Sequence, residues 1–176
     1  MKNIIAFAGS NSKKSINKQL VTYASTLVEK GRVSILDLND FELPIYGIDL
    51  ENDKGIPKNA HKFLELIKAS DGILLSLAEH NGAYTSAFKN IFDWMTRIES
   101  KIFANKPMLL MATSPGARGG ASVLEIAQGR FPYHDANIKG VFSLPSFEKH
   151  FSENKITDQE LDVQLKKLVK QFEDSL

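Results

Sequence analysis

Three runs of strand length, "IIAFA" (4–8), "ILLSL" (73–77) and "MLLMA" (108–112), are almost unbroken in apolar residues. Side chains of a strand alternate between the faces of its sheet, so a run without polar alternation is apolar on both faces and must be covered on both. A sheet with one wet face is therefore excluded, and a buried parallel sheet flanked by helices is the natural solution. The segments between the runs carry the period that such helices need. Ile16, Leu20, Ala24, Leu27 and Val28 form one stripe, which ends at Gly31; Phe63, Leu64 and Ile67 form a second, and Phe88, Ile91, Phe92 and Met95 a third. Leu161, Leu165, Leu168, Val169 and Phe172 predict a closing helix.

With "RVSILDL" (32–38) and "IKGVFSL" (138–144) added to "NIIAFA" (3–8), "DGILLSL" (71–77) and "PMLLMAT" (107–113), five strands alternate with helices. Right-handed crossovers turn that alternation into an α/β, three-layer doubly wound sandwich. A length of 176 residues, 43% of them hydrophobic, suits one domain over 1–176, and no repeat or linker interrupts it. The one long irregular stretch is 39–56, "NDFELPIYGIDLENDKGI". Leu43, Ile45, Tyr46 and Ile48 make it too apolar for a solvated connection, so it is expected to carry function or an interface.

Charge and composition narrow the function. With 22 basic against 21 acidic residues, nothing draws the chain to nucleic acid or to an acidic membrane surface, and small molecules are the expected partners. The absence of cysteine excludes disulfides, thiolate nucleophiles, iron-sulfur clusters and cysteine zinc sites. His61, His134 and His150 show no ligand spacing, so no metal is expected. The first apolar run is too short for a membrane span or an export signal, which makes the cytoplasm the expected address.

Ligands of an open parallel sheet bind beyond the carboxyl ends of its strands, and the unusual loops follow the first, third and fourth runs. The first, Gly9 to Asn17, offers hydroxyls at Ser10, Ser12 and Ser15, the amide of Asn17 and the free N–H groups of a helix starting near Ser15 or Ile16. A phosphate suits that set, with Lys13 and Lys14 adding screening; the same residues also suit a plain helix cap. The spacing is neither that of a P-loop nor that of a dinucleotide turn, so a mononucleotide fits better. The second loop brings Glu79, His80, Asn81 and Tyr84, over which a flat ring could lie. The third has Gly116, Gly119 and Gly120, whose lack of Cβ lets backbone donors approach a planar ligand.

Together these stretches resemble one family. "GSNSKKSIN" is similar to the G-S-x-R-x-x-S-x-N phosphate loop of the NAD(P)H-dependent FMN reductases, which include quinone, azo and chromate reductases. "AEHNGAYTSAFKNIFDW" resembles their P-E-Y-N-x-x-x-x-x-x-L-K-N-x-x-D-W, "SPGARGG" their S-x-G-x-x-G-G turn, and "LPIYGIDLE" their L-P-x-Y-x-x-D-L-E segment. Ser12 stands where the family has arginine, Ala78 where it has proline and His80 where it has tyrosine.

The resemblance implies a flavodoxin-like sheet of order 2-1-3-4-5. It implies FMN as cofactor, with phosphate on Ser10, Ser12, Lys13, Ser15, Ile16 and Asn17. The ring would lie over Ala78, Glu79, His80, Asn81 and Gly82, and its pyrimidine edge near Ser114, Pro115, Gly116, Gly119 and Gly120. Backbone donors from Gly116 to Gly119 would meet negative charge on that edge. NADPH or NADH would be the co-substrate and a ping-pong cycle the mechanism. Quinones, azo compounds, metal oxyanions or free flavin would be acceptors, and no side chain would serve as catalytic acid or base. A homodimer or a dimer of dimers is implied, with an interface near Tyr46 and the helix bearing Phe88 and Phe92. On that helix Lys89, Asn90, Asp93 and Trp94 are expected to pack and cap. The alternative, a non-enzymatic flavodoxin-like FMN electron carrier, calls for a strongly acidic chain with a T-x-T-G-x-T loop, and this chain has neither.

Overall fold

The computed structural model describes residues 1–176. In chain order the elements are β1 (Lys2–Gly9), α1 (Ile16–Thr26), β2 (Gly31–Leu36), α2 (Ile48–Lys54), α3 (Lys58–Ala69) and β3 (Gly72–Leu77). Two-residue strands β4 (Glu79–His80) and β5 (Ala83–Tyr84) follow, then α4 (Ser86–Ile98), β6 (Pro107–Thr113), α5 (Ala121–Arg130) and β7 (Asn137–Leu144). The single turn α6 (Phe147–His150), the strands β8 (Phe151–Ser152) and β9 (Lys155–Ile156), and α7 (Gln159–Glu173) complete the chain.

The five long strands form one parallel sheet in the order β2-β1-β3-β6-β7, which is the flavodoxin-like order that the family resemblance implies. β3 is buried throughout and β6 from Met108 onward, as their two-faced apolar character requires, whereas the edge strand β2 keeps no fully buried residue. Two cores result. Phe63, Ile67, Phe88, Phe92, Phe103 and Phe131 pack with α3, α4 and α5 against one face, and Leu20, Val21, Leu165, Val169 and Phe172 of α1 and α7 cover the other.

Three expectations are corrected. The α1 stripe ends at Thr26 with Leu27 as its cap, and Gly31 opens β2 instead of closing the helix. The stretch 39–56 is not wholly irregular. A 3-10 turn spans Leu38–Asp40, and α2 forms with Asp49 and Glu51 in its first turn and Lys54 in its last, charges that complement the helix dipole. Finally, Phe88 and Phe92 belong to the core at 1% and 5% exposure, so they offer nothing to an interface. α4 does anchor the preceding segment: Trp94 Nε1 and Asn90 Nδ2 donate to the Pro44 carbonyl at 2.8 and 3.0 Å, and Asn90 Oδ1 accepts from Tyr46 N at 2.8 Å. Lys89 and Asp93 form a surface ion pair one turn apart. The large apolar side chains this leaves exposed on the segment are Ile45 and Ile48.

Candidate functional site

The sheet reverses its direction of growth between β1 and β3, so a crevice opens beyond the carboxyl ends of β1, β3 and β6. The loop after β1 wraps on itself there. Ser12 N donates to Ser10 Oγ at 3.1 Å, Ser15 N to the Ser12 carbonyl at 3.2 Å, and Ser15 Oγ caps α1 by accepting from Lys18 N at 3.1 Å. That local wrapping leaves the N–H groups of Ile16 and Asn17 without a partner in the chain. The hydroxyls of Ser10 and Ser15 accept but do not donate, so each retains a proton to offer.

Asn17 behaves differently from its neighbours. Only 2% exposed, it turns its side chain inward: Nδ2 donates to the Thr113 carbonyl at 3.1 Å, while Oδ1 accepts from Thr113 N at 3.0 Å and Ser76 Oγ at 2.7 Å. It thereby clamps the start of α1 to the ends of β3 and β6. The sequence offered its side chain to a phosphate; in the structure that side chain is engaged within the chain, and the backbone N–H is free.

The segment after β3 is a hairpin instead of a loop. Asn81 and Gly82 turn it with φ of 51° and 75°, the paired left-handed conformations of a tight two-residue connection. His80 and Asn81 are exposed at its tip. Glu79 reaches across to α5, where its Oε2 accepts from Val123 N at 2.9 Å. The residue preceding α5 is Gly120, which has no side chain to cap with, so Glu79 performs that duty from another element. Tyr84 is not a platform for a ligand: its ring stacks on Phe131 at 6.0 Å and 8°, and its buried hydroxyl has no partner. Burial pushes that hydroxyl up to about 12.

In the turn after β6, Ser114 Oγ and Gly119 N both donate to the Gly116 carbonyl, at 3.2 Å each. A Cβ on Gly119 would stand 2.3 Å from Ser143 Oγ, and one on Gly120 would stand 2.8 Å from the Ala112 Cβ. Chain packing therefore requires glycine at both positions. Only Gly116 faces open space, with nothing within 4 Å of the corresponding position. The N–H groups of Gly116, Ala117 and Arg118 are free, whereas that of Gly119 is engaged. α5 itself begins only at Ala121.

The three segments enclose a cavity of about 200 Å³. Ser10, Ser12, Ser15, Ile16 and Asn17 line it from the first, Ala78, Glu79 and His80 from the second, and Ser114 and Pro115 from the third. Lys13, Asn81, Gly82, Gly116, Gly119 and Gly120 do not line it. Lys14 and Thr113 do, and the sequence signalled each: Lys14 by its place in the basic pair, Thr113 as the polar residue closing an apolar strand. Thr85 supports the site from behind, its Oγ1 donating to the Gly9 carbonyl at 2.8 Å and accepting from Phe88 N at the start of α4 at 3.1 Å.

A sequence model of the family described as NADPH-dependent FMN reductase matches residues 2–149. The chain belongs to that family. Among relatives of this reductase, the quinone reductase of Escherichia coli K12 is 27% identical over 160 residues, covering 89% of this chain and 81% of that one. An NAD(P)H-dependent FMN reductase of Pseudomonas aeruginosa is 29% identical over 119 residues, covering 67% and 63%. Among solved structures, the reductase is similar to the flavoenzyme NAD(P)H:(acceptor) oxidoreductase FerB of Paracoccus denitrificans, with a TM-score of 0.78, 26% identity and coverage of 99% and 96%. No helix of the reductase is long and apolar enough to cross a membrane.

Proposed function

We propose that this reductase holds FMN at the three-segment cavity and uses it to carry reducing equivalents from NADPH or NADH to quinones, azo compounds, metal oxyanions or free flavin. The observation that carries the reading is the pair of unpartnered N–H groups at Ile16 and Asn17, set beside the donor-ready hydroxyls of Ser10 and Ser15. A phosphate at a helix N-terminus meets partial positive charge and free donors together, so the residues present fit the group. FMN, when bound, supplies the hydride acceptor and donor.

The chain's own residues seat and orient. Ser10, Ser12, Ser15, Ile16 and Asn17 take the phosphate, Asn17 through its backbone. Ala78, Glu79 and His80 form the floor beneath the ring, with Glu79 fixing that floor to α5. Ser114 and Pro115 line the cavity where the pyrimidine edge would lie, and Gly116 follows them in the chain with open space beside it. The free donors at Gly116, Ala117 and Arg118, in place of Gly119, would be the ones available to negative charge there, and a preorganised donor of that kind is worth about 3 kcal/mol. No side chain of the cavity is required as an acid or base. Nicotinamide and acceptor would use the same open face of the flavin in turn, which is the ping-pong order. The exposed Ile45 and Ile48, on a segment anchored to α4, support self-association as a homodimer or a dimer of dimers. The cytoplasm supplies both nicotinamide nucleotides and is the compartment this reading requires.

The visible spectrum of the purified protein tests it. Flavin bands that bleach anaerobically with NADPH or NADH and return with menadione are expected. A preparation that stays colourless after FMN is added refutes the reading, and one that holds FMN yet oxidises neither nucleotide supports the electron carrier instead.

A further inference from the structure

A second hollow, about 290 Å³, adjoins the three-segment cavity, and Lys14 and Ser15 line both. The two differ in chemistry. Ile16 and Asn17, with their free N–H groups, line the first only, whereas Lys13, Lys18 and Tyr23 line the second only. Two carboxylates bonded to lining residues are already engaged. Asp37 is held by Lys18, and Asp162 by Tyr23 and Lys166, whose Nζ lies 2.6 Å away. Lys13 and Lys14 take part in no ion pair and are exposed. The hollow therefore carries two uncompensated ammonium groups, flanked by the neutral donors of Gln19 and Asn154, and no free carboxylate lines it. In a chain of net charge +1, that is a local concentration of positive charge.

We propose that this hollow receives the 2′-phosphate of NADPH, and that Lys13 and Lys14 set a preference for NADPH over NADH. The inference rests on the proposed function, since a nicotinamide nucleotide must first use the flavin held in the adjoining cavity. Lys14 and Ser15 form a wall common to both spaces, so a nucleotide lying against the bound flavin can place its far end in the hollow. The division of donors keeps the anions of the two ligands apart: amides and hydroxyls serve the flavin phosphate, and ammonium groups serve the nucleotide's phosphomonoester. A dianion is matched by two point charges on flexible stems, which need no planar geometry to engage it. Lys13, assigned by sequence to the flavin phosphate, takes this second role because the structure turns it out of the first cavity.

Calorimetric titration of the flavin-loaded protein with adenosine 2′,5′-bisphosphate and with 5′-AMP tests the inference without turnover. The bisphosphate is expected to bind at least tenfold more tightly, because a hydrogen bond to a charged group carries about that factor. The Lys13→Gln, Lys14→Gln double variant is expected to lose the difference, and Lys13→Arg, Lys14→Arg to keep it. In steady state the ratio of kcat/KM for NADPH to that for NADH should fall about tenfold in the glutamine variant. Equal binding of the two nucleotides by the unaltered protein overturns the inference, as does a difference that survives in the glutamine variant. So does a glutamine variant that loses FMN, which would return the lysines to the flavin phosphate. Lysine-dependent bisphosphate binding by a protein that oxidises neither nucleotide would instead retain the hollow and refute the proposed function.

Discussion

Replacing Asn17 with alanine separates a structural clamp from a ligand-binding amide. The side chain makes three buried hydrogen bonds, one given to Thr113 and two received, from Thr113 and Ser76. Its loss leaves a carbonyl, an N–H and a hydroxyl unpaired, and each such buried group costs about 1 to 3 kcal/mol. The adjoining cavity lets water reach some of them, which places the total near the low end, about 3 kcal/mol. Against a domain stability of about 5 to 15 kcal/mol that is a large share, and for a chain of this size it lowers Tm by about 6 to 12 °C. Differential scanning calorimetry with and without FMN would measure it. Ser76→Ala should cost clearly less in the Asn17→Ala background than alone, because the two residues share a bond. A melting temperature within about 2 °C of the parent, combined with a tenfold loss of flavin affinity, would refute the clamp and restore the side chain to the phosphate.

Other perturbations follow from the same geometry. Glu173, 8% exposed, accepts from Glu29 N and Lys30 N at 2.8 and 2.6 Å, so Glu173→Ala should destabilise by about 2 to 4 kcal/mol in urea unfolding. Glu173→Gln should recover most of that loss. Tyr84→Phe removes a buried hydroxyl without a partner and should be neutral or stabilising by up to about 1 kcal/mol at pH 7. Because burial pushes that hydroxyl from 10 up to about 12, the unfolded chain ionises first. Its contribution is therefore complete below pH 10 and declines as pH rises toward 12. Urea midpoints at pH 8 and pH 11 should accordingly differ less in Tyr84→Phe than in the parent. Glu79→Ala should speed amide exchange at Val123 and weaken flavin binding together, and Glu79→Gln, which keeps an acceptor, should restore both. Faster exchange with unchanged flavin affinity would show that the hairpin does not need its tie to α5.

The strands that could be read from the sequence were those under the strictest constraint. β1, β3 and β6 lie between two helical layers, so burial on both faces leaves a pattern no loop imitates. At the edges the pattern loosens. β2 stops two residues before its apolar run ends because Asp37 accepts from Asn39 N at 2.9 Å and starts a 3-10 turn. α2 buries no residue, so nothing in the sequence marks a stripe, and its charges alone identify it. β4 and β5 are two residues each, too short for alternation to register, although the Asn81-Gly82 pair was a turn signal in plain view.

At the candidate site, which segments come together was legible and which way their polar groups turn was not, for one physical reason. Where a loop stands follows from where a buried strand ends, which is local information. Whether a polar group in that loop faces inward depends on partners brought in by topology: Thr113 lies 96 residues from Asn17, Val123 lies 44 from Glu79, and Ser143 lies 24 from Gly119. Each of those inward contacts removes a residue from the list of ligand donors and adds one to the frame that holds the remaining donors still. The groups left over at the first loop, two backbone amides and two hydroxyls, are those whose local bonds are satisfied from one side only. Donors held at a helix start by such a frame meet an anion with little reorganisation, and on the proposed reading that preorganisation lets a chain of net charge +1 seat a phosphate without burying a lysine to do it.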